Sequence, residues 1–275
     1  MSLPANPIRW PAEALWQAVS PLLEGFSVEI LPEVDSTNTE LMRRARAGRC
    51  EPILLVTEQQ TAGRGRLGRQ WVSEIGDSLT FSLGLPMAPA EWSGLSLAVG
   101  VSLAQSLQPQ LPAAGEDRLR LGLKWPNDLW LEGDRKLGGI LIETASGIGL
   151  TGADRYVVIG VGLNVRAPDG QGLSTRPASL REVDPTLDAP TALGRIVPPL
   201  VRALQAFARH GFAPVRSQFA ERDLLLQREA NLSDGHSGLA RGVGPDGALL
   251  VQTAEGLRAV TSSEISVRPR PAPLS

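Results

Sequence analysis

Residues 61–71 read TAGRGRLGRQW, and the fold assigned to the chain depends on what Gly63, Gly65 and Gly68 are for. Taken literally they satisfy G-x-G-x-x-G, the dinucleotide fingerprint. That fingerprint needs a helix opening at the glycines so that its N-terminus can hold a pyrophosphate. Here the chain continues QWVSEIGDSLTFSLGL (70–85), which reads as loop followed by strand. The dinucleotide fold is therefore excluded by context. Gly63 to Gly68 also has P-loop spacing, but Arg69-Gln70 stands where Lys and Ser/Thr belong, so the magnesium-binding hydroxyl is missing. What remains is a pliable loop whose backbone can approach a ligand and whose guanidinium groups, on Arg64, Arg66 and Arg69, can surround an anion. A solvated basic loop, or an arginine-glycine segment that touches RNA, fits the same residues.

On either side of this loop the hydrophobic pattern alternates between strand and helix. A short helix is expected over 12–24 and a strand over 27–31, followed by DSTNTELMRRARAG (35–48). Thr37 with Glu40 three residues later predicts a capping box, with Leu41, Met42 and Ala45 on the apolar face and Gly48 as the stop. PILLVTEQQ (52–60) is almost continuously apolar at first, as in a strand buried on both faces or at a sheet centre. After the loop come a strand at SLTFSLGL, a long helix over 91–108, three short β runs between 119 and 145 with a Gly133-Asp134 turn, and the strand RYVVIGVGLNV. Two helices, roughly 190–209 and 213–226, follow a polar loop (167–191). From about residue 228 short β runs and tight turns at Pro245-Asp246-Gly247 and Glu255-Gly256 predict a small antiparallel barrel. The organisation expected is a catalytic unit over 1–227 and a barrel over 228–275.

Composition narrows the chemistry. A chain of 275 residues with 42% hydrophobic content can bury one large core with a small second unit. A net charge of −2 argues against a surface built for nonspecific nucleic-acid binding, so basic function must be local. Cys50 is the only cysteine, and His210 and His236 are the only histidines. No disulfide framework, Cys/His zinc cluster or histidine-based triad is expected from that set, and Cys50 reads as a small buried apolar residue. The N-terminal stretch has no signal-peptide pattern, no segment reads as a membrane span, and SVRPRPAPLS reads as a loose tail. The cytoplasm is the expected compartment.

Two further motifs stand out. KWPND (124–128) puts Lys124 at a strand end and Trp125 ahead of Pro126. Lys136 precedes Leu137-Gly138-Gly139, a poor composition for a strand interior unless something packs against the bare backbone. Each motif alone also fits a plain turn or bulge. In the order STN (36–38), TEQQTAGRGRLGRQW (57–71), KWPNDLWLEGDRKLGGILIE (124–143), VVIGVGLNV (157–165) and ARGVGPDGALLV (240–251), however, the set resembles the biotin protein ligase family over roughly residues 30–270.

The resemblance implies an α/β fold, with an SH2-like mixed-sheet catalytic domain and an SH3-like barrel behind it. It implies an enzyme that uses ATP and Mg2+ to activate biotin as biotinyl-5'-AMP and passes it to a lysine of a biotin carboxyl carrier protein. Bringing a carboxylate within about 4 Å of a phosphate costs roughly 4 kcal/mol at an effective dielectric near 20, so fixed cations are required. By resemblance Arg66 and Lys136 lie at the reacting centre, assisted by Arg64 and Lys124. Ser36, Thr37, Asn38, Gln60, Gly63, Arg64, Gly138 and Gly139 are expected around biotin, together with Arg66 and Lys136. Arg69, Trp71, Lys124, Asn127, Asn164 and Arg241 are expected around ATP, with Trp71 on adenine and magnesium carried by the nucleotide rather than by a dedicated protein site. Two departures are visible. The short stretch before the first strand leaves no room for the helix-turn-helix of relatives that repress transcription, so no DNA binding is expected, and Gly133 lengthens the turn before Lys136. A homodimer through sheet edges is possible within the family. Lipoate protein ligase shares the fold and the adenylate logic; a noncatalytic RNA binder would lack stacking platforms, since aromatic residues are 4% of the chain.

Overall fold

Strands that are apolar on both sides need cover on both faces, and the chain supplies it with helices before, between and after them. The computed structural model describes residues 8–113, 115–146, 150, 154–170, 173, 175–261 and 267–269. In chain order the larger unit runs α1 (Ala12–Val19), β1 (Ser27–Val34), α2 (Thr37–Arg46), β2 (Ile53–Gln60), β3 (Ser78–Met87), α3 (Leu95–Leu107), β4 (Leu121–Lys124), β5 (Asp128–Leu131), β6 (Arg135–Ala145), β7 (Arg155–Asn164), α4 (Ala189–His210) and α5 (Arg216–Ala220). Its seven strands form one sheet in the order β1-β2-β3-β7-β6-β5-β4. Only β1 and β2 run parallel; the remaining pairs are antiparallel, which makes the sheet mixed.

The core lies mainly between the sheet and the pair α3 and α4. Leu103, Leu193, Ile196, Val197 and Leu200 are fully buried there against Leu83, Ile159 and Leu163 of the central strands. The opposite face carries α2, whose Leu41, Met42 and Ala45 pack on Leu55, Tyr156 and Val158 with Cys50 buried among them. This face is only partly covered, and the uncovered part is where the polar residues gather.

Strands β8 (Glu229–Leu232), β9 (Ser237–Val243), β10 (Leu249–Thr253), β11 (Gly256–Val260) and β12 (Val267–Pro269) form a second, antiparallel sheet in the order β11-β10-β9-β8-β12. It is the SH3-like unit behind a mixed α/β sheet. The turn between β9 and β10 reaches into the larger unit. There the Trp125 indole donates to the Gly247 carbonyl at 3.0 Å, and a Cβ on Gly247, which has φ +80°, would lie 2.8 Å from the Gly94 Cα. An Arg228–Asp134 ion pair at 2.7 Å ties the start of this sheet to the turn between β5 and β6.

Three expectations require correction. The α2 cap is Ser36, whose Oγ accepts from the Thr39 amide, not Thr37; Glu40 pairs with Arg43 and Arg44 instead of closing a capping box. Helix α3 starts at Leu95 because Gly94 sits at φ +81°, outside helical space. The second late helix stops at Ala220, and residues 222–224 run beside β4 instead. The Leu123 amide donates to the Arg222 carbonyl and the Leu224 amide to the Leu123 carbonyl, while the buried Arg222 guanidinium caps the carbonyls of Leu121 and Gln108. Satisfying a sheet edge outweighs continuing a helix there. Most of the expected C-terminal tail lies outside the described residues.

Candidate active site

A cleft opens on the partly covered face of the sheet, where β2, β5, β6 and β7 meet the arginine-glycine loop. Its inner cavity has a volume of about 130 Å3 and is lined by the start of α2, the loop, the β4–β5 corner and the central glycines of β7. A wider cavity of about 600 Å3 continues past Trp71, Trp130 and Asn164 to β12.

One wall is neutral. The Thr37 amide donates to Gln60 Oε1 at 2.8 Å, and the Gln60 amide donates to Ser73 Oγ at the same distance. Asn38 gives its two amide protons to the Leu141 carbonyl (3.1 Å) and Glu143 (2.9 Å), and its Oδ1 lies 2.7 Å from Ser82 Oγ. Gly160 makes this possible, since a Cβ there would come within 2.1 Å of Asn38 Oδ1.

The other wall is charged. Lys136 Nζ donates to Asp128 Oδ1 at 2.7 Å, Lys124 Nζ lies 3.7 Å from Asp128 Oδ2, and Arg66 reaches Asn127 Oδ1 at 3.3 Å. Asn127 is itself held by its Nδ2–Ile140 carbonyl bond at 2.8 Å, across a corner built on a cis Trp125–Pro126 peptide. Arg69 also lines this part of the cavity. Burial pushes the Lys124 ammonium down to about 8, opposed by Asp128 and aided by the neighbouring cations Lys136, Arg69 and Arg66. Desolvation likewise holds Arg66 below its ordinary value. A buried lysine with a depressed pKa costs the fold stability below pH 8, and the cost is relieved as pH rises from there toward 10.5. Four cations facing one carboxylate make a cavity whose charge is completed by an anion.

The Arg/Gly loop closes the cleft. Gly63 accepts from the Trp71 amide at 2.9 Å and a Cβ there would sit 2.3 Å from the Trp71 carbonyl; the Gly65 amide donates to the Arg69 carbonyl at 2.7 Å. Arg64 leans across to Glu143 at 3.2 Å. The Trp71 indole lies over Gly162, where a Cβ would be 2.5 Å from Cε2, and its buried Nε1 has no partner among the described residues.

Comparison with known proteins shows the family of the chain. Residues 31–164 match the biotin/lipoate A/B protein ligase family, and residues 233–268 match the biotin protein ligase C terminal domain. The bifunctional ligase/repressor BirA of Escherichia coli is 36% identical over 90% of this chain and 75% of its own length. The chain belongs to the biotin protein ligase family. The biotin–[acetyl-CoA-carboxylase] ligase of Paracoccus denitrificans is 30% identical over 86% of this chain and 98% of its own. The biotin protein ligase of Aquifex aeolicus, solved in complex with biotin and ATP, superposes with a TM-score of 0.72 at 28% identity, covering 88% of this chain and 99% of that one.

Within this ligase fold most of the residues singled out from sequence come together. Ser36, Thr37, Asn38, Gln60, Arg64, Arg66, Arg69, Trp71, Lys124, Asn127, Lys136 and Gly139 all line the inner cavity. Gly63 lies in the loop just outside it, and Asn164 lines the wider cavity while donating to the Ala178 carbonyl at 3.0 Å. Gly138 is bare for another reason, because its Cβ would strike the Gly162 carbonyl of β7 at 2.3 Å. Arg241 lies on β9, bonded to Gln227 Oε1 at 2.9 Å and away from both cavities.

Sequence reasoning passed over Asp128, Glu143 and Ser82. Asp128 carries a signal in hindsight, an acid placed directly in a lysine-bearing motif. Glu143 lies at strand spacing from Gly139 and Leu141 on β6. Ser82 gives only the mild signal of a polar residue in an otherwise buried strand.

Proposed function

We propose that the chain activates biotin with ATP as biotinyl-5'-AMP and then transfers the biotinyl group to a lysine of a biotin carboxyl carrier protein. The observation that carries this reading is the single cleft with one neutral, hydrogen-bonding wall and one wall of four cations about Asp128. A cyclic urea suits the first and a triphosphate the second, and the carboxylate and α-phosphorus would meet between them. In the first step a biotin carboxylate oxygen bonds to the α-phosphorus and pyrophosphate leaves. In the second the carrier amine bonds to the acyl carbon, AMP leaves, and the amine gives up a proton.

The cations lower the barrier by cancelling the repulsion between the two anions, and Arg66, Lys124 and Lys136 are held by Asn127 and Asp128 before substrate arrives. Lys136 and Arg66 flank the reacting centre, with Arg64 on the biotin side. Arg69, Lys124 and Asn127 face the phosphates, and Trp71 supplies an aromatic face for adenine. Magnesium is expected to enter on the triphosphate. The catalytic unit is taken to residue 227 and the small sheet from 228; cytoplasm is the compartment, and β1, which ends the larger sheet, is where a homodimer would form.

Lipoate ligation shares the adenylate step, but the C-terminal match is to biotin ligases. An RNA-binding role would need the loop arginines outward, whereas Arg66 is turned into the cleft. Pyrophosphate exchange stimulated by biotin and not by lipoate, together with the mixed anhydride seen by mass spectrometry, is the expected result. Exchange without biotin dependence would overturn the reading.

A further inference from the structure

The neutral wall contains more information than its lining residues, because its protons can be counted. Two short gaps meet at Ser82 Oγ on β3: 2.7 Å to Asn38 Oδ1 and 2.7 Å to Thr37 Oγ1. Oxygen atoms that close repel unless a proton lies between them, so two gaps require two protons. Asn38 cannot supply one. Both its amide protons are committed to Leu141 and Glu143, which fixes Oδ1 toward Ser82. Ser82 therefore donates to Asn38, and the other proton must come from the Thr37 hydroxyl.

Thr37 then has no proton left for the pocket. Its longer 3.2 Å approach to Gln60 Oε1 is not needed either, since that oxygen already accepts the Thr37 amide at 2.8 Å. The orientation of Gln60 is set by the same amide, leaving its Nε2 as a donor beside Gly63. So the wall presents an acceptor at Thr37 and a donor at Gln60. Ser82, which is wholly buried and touches no part of the cavity, imposes this polarity.

We propose that Ser82 is a specificity-determining positioning residue. By taking the Thr37 proton it obliges the pocket to choose a ligand with an N–H at that point, next to a carbonyl that Gln60 can meet. This rests on the biotin reading above and deepens it, because a cyclic urea carries that donor-acceptor order. An isostere with oxygen in place of the ring N–H would set two acceptors against each other, and sites built for an N–H reject such analogues strongly.

The test uses the full chain, biotin, and the two isomeric carbamate analogues in which one ring N–H is replaced by oxygen. In the parent, kcat/KM for adenylate formation is expected to be at least about a hundredfold lower for one isomer. Ser82→Ala frees the Thr37 hydroxyl to rotate and donate, so the ratio of biotin to that isomer should fall about tenfold while KM for ATP stays at the parent value. A folded Ser82→Ala protein with the parent's ratio would overturn the proposal. Thr37→Val, which has no acceptor, gives a second measure should Ser82→Ala fail to fold. Its ratio should collapse, and a retained ratio would equally sink the idea. Absence of any biotin-stimulated exchange in the parent would instead count against the functional reading itself.

Discussion

The two walls of the cleft solve opposite problems. On the neutral side each polar atom of Asn38, and the carbonyl of Gln60, is bonded within the protein, so the wall is set before a ligand arrives. On the charged side Arg66, Arg69, Lys124 and Lys136 face Asp128 alone among the carboxylates lining the inner cavity. That wall is under-neutralised, and burial has depressed the affinity of Lys124 for its proton. The difference teaches that recognition of a neutral ring needs satisfied geometry, whereas recognition of a polyanion needs charge held in deficit of counterions.

The largest expected effect falls on the charged wall. Lys136→Ala should lower biotin-dependent pyrophosphate exchange by about a thousandfold, with thermal unfolding close to that of the parent. Loss of less than tenfold would mean that Lys136 is not at the reacting centre.

Two alanine substitutions then separate the walls at positions two residues apart on β7. Gly160→Ala would drive a methyl into Asn38, and Gly162→Ala would drive one into the Trp71 indole. Displacements near 1 Å in such sites cost up to about a hundredfold. Steady-state kinetics should show the KM for biotin rising in the first and the KM for ATP in the second; the same pattern in both would erase the distinction between the walls.

A smaller effect is in pH. Lys124 is a cation below about pH 8 and neutral above it, so kcat/KM for ATP should fall as pH rises through 8. Asp128 opposes the depression, and Asp128→Asn should move the fall to lower pH. An inflection that stays in place, or moves upward, would contradict the assignment. The smallest effect is in the loop. Amide exchange over residues 61–70 should slow when biotin and ATP are added, and equal rates would remove its role as a cover.

How much was legible in the sequence differs between the walls too. The charged wall could be read because Arg66, Arg69, Lys124 and Lys136 lie in short motifs with few alternative uses. The neutral wall was legible in STN and Gln60, but the role of each residue was not. Thr37 was read as a helix cap, and the cap proved to be Ser36, because a single residue shift exchanges the face on which a hydroxyl points. Gly138 and Gly139 were read as one feature, yet the first is bare to admit a neighbouring strand and the second lies beside Lys136. Asp128 and Glu143 were missed because carboxylates next to lysines and strand ends are ordinary on a surface.

By itself the sequence determined the order of strands and helices, the Arg/Gly loop as something other than a dinucleotide or P-loop site, and the cations available to it, since hydrophobic period and local motif act over a few residues. Only the tertiary structure decided which proton belongs to Thr37, which carboxylate faces the lysines, and that the β9–β10 turn anchors Trp125. The first and last of these join positions 44 or more residues apart, as Ser82 is from Asn38 and Gly247 from Trp125, and the second follows from the pairing of β5 with β4 and β6. Hydrogen bonding and Coulomb interaction depend on separation in space, and a linear pattern carries no record of it until the sheet has brought the strands together.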